Sequence, residues 1–345
     1  MNPFIYTPLP TRVIFGRGRI TEAGAEAAQL GMKKPAVIAT PQQAQSCEEL
    51  AKSIGGVAYP HAVMHTPVNV TEIAIAFVKD NGIDGVVSLG GGSSTGLGKA
   101  IALRTDFNQL AIPTSYAGSE MTNILGETEN GLKTTKRDAR IQPETVIYDP
   151  DLLATLPDVF AATSGLNAIA HAVEALYAAD GNPIVSLMAE EGIRALASAL
   201  PKGKSGHDEA LYGAWLCGAV LGSAAMALHH KLCHVLGGTF NLPHAETHAI
   251  ILPHAVAYNA RSAPEAMRRI AHALGVSDAA NGLHALAKSI GAPTALKDIG
   301  MPDGGLDRAA DIAVSSPYPN PRPLERAAIR QLLDNAYYGR APDDN

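Results

Sequence analysis

Residues Gly85 to Lys99 read GVVSLGGGSSTGLGK, and this stretch decides the fold. Gly85 to Leu89 is a short apolar, β-branched run, the pattern of a strand buried on both faces. Three glycines and two serines then turn the chain, and the pattern that follows, to about Leu103, is helical. Glycines let a backbone turn sharply and approach a ligand closely, while the free N–H groups at a helix start attract phosphate. A plain strand-to-helix turn needs no such run of small residues. The turn therefore reads as a pyrophosphate cradle, with Gly91, Gly92, Ser93 and Ser94 as its contacts. Two other phosphate motifs are excluded. A P-loop needs Gly where Ser93 stands, and Ser or Thr where Ala100 stands. The Rossmann fingerprint follows the first strand, whereas this turn follows a later one.

Working outward, short strands and helical patterns alternate through the first half of the chain. Pro35 to Thr40 reads as a strand followed by a helix through about Ile54, and Val70 to Asn81 as a helix. Leu110 to Pro113 and Thr145 to Tyr148 are further strands. This alternation means a mostly parallel sheet covered on both faces. A polar loop from Pro113 to Glu120 (PTSYAGSE) follows one of those strands. Ligands of open α/β sheets bind at the carboxyl ends of strands, so Thr114 and Ser115 join the cradle.

The character changes after Asp149-Pro150. Ala-rich helical patterns now dominate: Ala161 to Ala179, Pro183 to Leu200, Glu209 to His234, Ala263 to Leu274, Leu283 to Ile290 and Pro323 to Tyr337. The expected organisation is an α/β dinucleotide-binding domain over residues 1–155 and an all-α substrate domain over residues 156–345.

Composition narrows the partners. A net charge of −6 with no basic run argues against nucleic acid. The longest small-apolar stretch, Ala219 to Leu228, is broken by Gly222 and Ser223 and is too short to cross a bilayer, so no membrane partner is expected. Met1 to Arg12 shows no basic-then-apolar signal pattern, so a cytoplasmic location is expected. Cys47, Cys217 and Cys233 have no CxxC spacing, which argues against a disulfide framework or a thiolate zinc site. Cys233 reads as a small buried hydrophobe.

The helical half carries the chemistry. Asn167 and His171 are four apart, hence on one helix face, as are His230 and His234. His229 and Lys231 flank His230, and His244, His248 and His254 come later. A lone histidine is usually structural, but histidines paired at helical spacing in apolar sequence point to an active site. Three histidines and a carboxylate would suit Fe(II) or Zn(II). Position 167, however, is Asn, a neutral amide that makes a poor ligand and leaves the site without its only anion. The alternative is an electropositive pocket for an anionic substrate, in which histidines also serve as proton donors.

Together these residues resemble the iron-containing alcohol dehydrogenase superfamily, related in fold to dehydroquinate synthase. The likeness runs from Val13-Ile14-Phe15-Gly16 to Asn320-Pro321-Arg322-Pro323. In that family the GGGS turn binds the cofactor pyrophosphate, and an Asp-x-x-x-His pair with two later histidines holds the metal. The matching positions here are Asn167, His171, His230 and His244, with His234 the non-ligand histidine of the pattern. The segments GGGSSTGLGKAIAL, IPTSYAGSEMT, GLNAIAHAVEALYA and HHKLCHVLGGTFNLPHAETHA are similar to those of the maleylacetate reductase branch. Gly96, where metal-dependent members carry Asp, points the same way.

The resemblance implies NAD(P)H-dependent reduction of the conjugated double bond of maleylacetate, a dicarboxylate of aromatic-compound degradation, to 3-oxoadipate. It also implies a homodimer and no metal. His171, His230, His234 and His244 would form the pocket, with Asn167 orienting His171 or donating to substrate, and Lys231 as a carboxylate partner. The alternatives are a metal-dependent alcohol or polyol dehydrogenase, or a lyase on the dehydroquinate synthase scaffold. After the first α/β strand, Thr40-Pro41-Gln42-Gln43 offers no acidic residue to hold ribose hydroxyls, so NADH and NADPH both stay open.

Overall fold

The computed structural model describes residues 3–129 and 132–343. Two compact units divide the chain: Pro8–Leu156, and Pro157–Asn345 together with Met1–Thr7.

In the first unit, strands β1 (Arg12–Phe15), β2 (Pro35–Ile38), β3 (Val57–Tyr59), β4 (Gly85–Gly90) and β5 (Gln109–Pro113) alternate with helices. The helices are α1 (Ala23–Gln29), α2 (Ala44–Ser53), α3 (Val68–Asp80) and α4 (Gly92–Thr105). A hairpin, β6 (Ile124–Glu129) with β7 (Leu132–Arg137), stands apart, and β8 (Thr145–Tyr148) returns to the main sheet. The six-stranded sheet is wholly parallel in the order β1-β8-β5-β4-β2-β3. Its central strands are buried along their whole length, as their β-branched runs require. Side chains alternate between two cores. Val37, Val87 and Leu89 pack under α1 and α2 with Cys47 and Leu50, while Ala36, Ile38 and Val86 pack with Leu97 and Ile101 of α4.

From β2 the chain crosses to β3 on one side, and from β4 it crosses to β5 on the other. The carboxyl ends of β2 and β4 therefore flank a topological switch point, where such sheets bind ligands. The glycine turn lies there.

The second unit is helical: α5 (Asp158–Ala175), α6 (Pro183–Ala199), α7 (His207–Ser223), α8 (Leu228–Phe240), α9 (His244–Asn259), α10 (Pro264–Leu274), α11 (Ala279–Ser289), α12 (Leu306–Val314) and α13 (Arg326–Tyr338). Leu228, Leu232 and Leu236, four apart on α8, pack into a core with Ile250, Ile251, Ala309 and Leu333. No single helix among the described residues is long and apolar enough to cross a membrane.

One expectation from sequence is corrected here. Glu209 to His234 reads as a single helix, yet the chain breaks between α7 and α8, and Ala224 is extended (φ −138°, ψ 154°). No residue in Ala224-Ala225-Met226-Ala227 forbids helix. The cause is tertiary: the Glu174 carboxylate of α5 accepts hydrogen bonds from the backbone N–H groups of Ala227 and His229, starting a new helix there.

Candidate active site

Three loops build the cradle of the α/β unit. Gly90 sits at φ 142°, and a Cβ there would lie 2.3 Å from Ser94 Oγ and 2.7 Å from Gln43 Oε1, so only glycine fits. A Cβ on Gly91 would lie 2.8 Å from Ser115 Oγ, whereas one on Gly92 would meet only Ala117 Cβ, at 3.8 Å. The Thr114 N–H donates to the Gly90 carbonyl (3.1 Å), and Gln43 Nε2 donates to Thr114 Oγ1 (3.0 Å). The ends of β2, β4 and β5 thus converge on one spot. No side chain caps α4 at Gly91, which leaves its first N–H groups to an anion. Ser94 is buried and its Oγ has no protein partner among the described residues, while Ser93, Thr114 and Ser115 are half-buried. A Cβ on Gly96 would fall 2.5 Å from Thr66 Oγ1, so an aspartate there would displace Thr66. Gln43 was noted in the sequence only for lacking charge; its contact with Thr114 makes it part of the cradle.

The helical unit gathers its histidines from three helices. Asn167 and His171 of α5 are buried, as is His230 of α8. The His171 and His230 ring centroids are 5.1 Å apart, and His230 lies 4.9 Å from His248 of α9 and 6.3 Å from His234. His248 in turn lies 4.2 Å from His244. His234 is exposed and His244 half-buried. Neighbouring helix positions point about 100° apart, and Lys231 Nζ lies over the Tyr318 ring, 5.7 Å from its centroid.

The cluster does contain a carboxyl group, which the expectation drawn from Asn167 did not include. Glu174 is fully buried one turn beyond His171. Its Oε1 accepts the His229 N–H (2.7 Å), and its Oε2 accepts the Ala227 N–H (2.9 Å) and the His230 Nδ1–H (2.7 Å). With Glu174 ionised it can only accept, which places the His230 proton on Nδ1 and leaves Nε2 with a lone pair and no protein partner among the described residues. His229 donates from Nε2 to the His248 carbonyl (3.0 Å), and its Nδ1 faces His230 Nδ1 (3.3 Å). Glu174 and His248 were legible only as spacings, three beyond His171 and four beyond His244.

Burial, rather than charge, dominates the electrostatics. It holds His171 and His248 well below the usual histidine range, pulls His229 down to about 4, and lowers His230. It also pushes the Glu174 carboxyl up, against its N–H donors. Away from the cluster, burial lowers His254 to about 4. Between pH 6.5 and 4 the unfolded chain therefore binds protons that the native His254 and His229 refuse. The contribution of these two histidines should be constant above pH 6.5 and turn destabilising as pH drops towards 4, by on the order of 3 kcal/mol each. Thermal unfolding across this range checks it, and a Tm independent of pH would count against neutral burial.

The superfamily resemblance implies a divalent iron, for which the nearest donors are histidine nitrogens. One nitrogen each from His229, His230 and His248 falls within 4.8 Å of the others. Both His229 nitrogens are already engaged, Glu174 is filled by N–H groups, and Asn167 is neutral. A buried divalent iron would find the unpartnered nitrogens of His171, His230 and His248 but no free carboxylate oxygen among these residues, a poor match for iron, which the family usually holds with one carboxylate.

A parallel sheet with a glycine cradle, joined in one chain to a histidine-bearing helical unit, has known counterparts. Residues 10–150 match the family model for iron-containing alcohol dehydrogenase, and residues 161–337 match that for the Fe-containing alcohol dehydrogenase family, C-terminal. The chain belongs to the iron-containing alcohol dehydrogenase family and is an oxidoreductase. Within that family it resembles the maleylacetate reductases. It is 54% identical to the maleylacetate reductase of Burkholderia cepacia, over 99% of this chain and 100% of that one. It is 52% identical to the maleylacetate reductase of Sphingobium indicum, over 98% and 99%. The crystal structure of maleylacetate reductase from Agrobacterium tumefaciens matches with a TM-score of 0.95 at 50% identity, covering 99% of this chain and 100% of that one.

Proposed function

We propose that this chain reduces the conjugated carbon–carbon double bond of maleylacetate to give 3-oxoadipate, using NADH or NADPH and no bound metal. Near-full-length identity to maleylacetate reductases carries the substrate assignment. The neutral Asn167, together with a Glu174 whose oxygens are already taken, supports the metal-free form.

The substrate is a dianion whose alkene is conjugated to a ketone. A bound nicotinamide supplies hydride to the carbon beta to that ketone. The enolate that results needs hydrogen-bond donors at its oxygen and a proton at its alpha carbon. The Asn167 amide fits the first need. His234 and His244, the more exposed of the cluster, fit the second by exchanging protons with solvent. His171 and His230 form the buried part of the same cluster, and Glu174 lets His230 take and return a proton at Nε2. The conjugated alkene is already activated towards hydride, so Lewis-acid help is needed less than for a simple carbonyl. The lack of an acid in Thr40-Pro41-Gln42-Gln43 supports use of both nicotinamides. The homodimer and cytoplasmic location implied by family likeness belong to the same proposal, and light scattering tests the first.

A metal-dependent dehydrogenase is the competing form, favoured by the spacing of His229, His230 and His248. Chelator-treated protein should keep its full maleylacetate-dependent rate of NADH oxidation, with well under one metal per chain by elemental analysis. Loss of activity on chelation, restored by stoichiometric iron or zinc, would return the protein to the metal-dependent branch. Net NADH consumption also excludes the lyase.

A further inference from the structure

Lys99 has no role in the chemistry above, yet it is fully buried on α4, seven residues beyond Gly92. An ammonium group is costly to bury unless oxygens replace its water. Here they do. Lys99 Nζ donates to the carbonyl oxygens of Ser119 (2.5 Å), Thr122 (2.7 Å) and Ile124 (3.0 Å), and Thr122 Oγ1 lies at 3.0 Å. Ser119 Oγ is further off, at 3.4 Å. Every one of these oxygens comes from a single segment, residues 119–124. That segment continues the loop carrying Thr114 and Ser115, and its only regular structure before β6 is the short turn Ser119–Met121. The loop is held from a second side, because the Tyr148 hydroxyl of β8 donates to the buried Glu120 carboxylate (2.8 Å).

We propose that Lys99 is a positioning residue for the dinucleotide cradle: its caged ammonium ties the loop after β5 to α4, the helix whose start forms the glycine turn. One helix then carries both the N–H groups aimed at the anion and the cation that shapes the opposing wall. Thr114 and Ser115 are thereby held against Gly90 and Gly91, where the Thr114 N–H and the Ser115 hydroxyl already make their close approaches. Lys99 itself touches no cofactor. Without the ammonium, three carbonyls lose their donor and the loop must turn to find others. The proposal rests on the glycine turn being the cofactor site.

The test uses the full-length protein and NADH. Lys99→Met keeps the length and apolar stem of the side chain and removes the charge. It should raise the NADH dissociation constant about 10- to 100-fold, leave kcat at saturating NADH near wild type, and increase amide hydrogen exchange across residues 114–124. Thr122→Val removes a single oxygen from the cage and spares the fold if Lys99→Met does not; about a 3- to 10-fold weakening is expected. Wild-type NADH affinity and exchange in folded Lys99→Met, or in Thr122→Val should Lys99→Met fail to fold, overturn the proposal. Gly92→Val, measured alongside, separates the two claims. If it too binds NADH normally, the cofactor assignment of the turn fails; if it alone loses NADH, only the role of Lys99 does.

Discussion

Glu174→Gln is expected to lower turnover about 10²- to 10³-fold and to reduce Tm by roughly 5–10 °C. The argument is one of donor counting. Three N–H groups converge on the Glu174 carboxylate, two from the backbone where α8 begins and one from His230. Glutamine offers one accepting oxygen and one donating NH₂. Whichever way the amide is turned, its NH₂ faces a backbone N–H that it cannot accept from, and one helix-start donor is orphaned. If the NH₂ takes the place of Oε2, it also confronts His230 Nδ1 and drives the proton to Nε2. The imidazole then presents an N–H where the wild type presents a lone pair. Nitrogen-15 NMR of the histidine rings reports this tautomer directly. NADH affinity should stay near wild type, because the change lies in the helical unit. A folded variant with normal kcat, or a wild-type His230 protonated only on Nε2, would show that Glu174 is merely buried.

Gly92→Val should weaken NADH binding about 10- to 100-fold with little change in fold. Gly91 is the less discriminating site, since a side chain there collides with Ser115 before any ligand is considered. At Gly92 the nearest protein atom to a new Cβ is 3.8 Å away, and the residue is exposed. Whatever a valine obstructs there is therefore not the protein. The branched side chain stands over the uncapped start of α4, where N–H groups would bond a pyrophosphate oxygen. Circular dichroism and Tm should match wild type. NADH titration by fluorescence measures the effect, and unchanged affinity in the folded variant would place the cradle elsewhere.

Features set by local sequence were the ones that could be read in advance. The β4–turn–α4 unit was legible because a continuous apolar run, a glycine cluster and a helical pattern follow one another within Gly85 to Thr105. Strands β1 and β3 were not, because both lie at sheet edges, are at most four residues long and are only partly buried. They carry no unbroken apolar signal. Helix α9 was hidden by Pro253, which normally argues against a helix interior, yet the helix accommodates it amid buried residues. In the site, the paired histidines were visible through their fourfold spacing. Glu174 was not, because its significance lies in contacts with residues more than fifty positions away.

The break between α7 and α8 has a consequence for how the histidines of α8 are placed. Ala224 to Ala227 would continue a helix by local preference, and the native break is held by side chains from elsewhere in the chain: Asp180 accepts the Ala225 N–H, Glu174 those of Ala227 and His229, and Asn320 that of Leu228. Without these contacts the cheaper local structure is one long rod spanning both helices. That rod would carry His229 and His230 at the wrong azimuth. Local and global preferences conflict at this joint, and the conflict is resolved by contacts of high sequence separation. The placing of His229 and His230 on α8 thus depends on those contacts rather than on the local sequence.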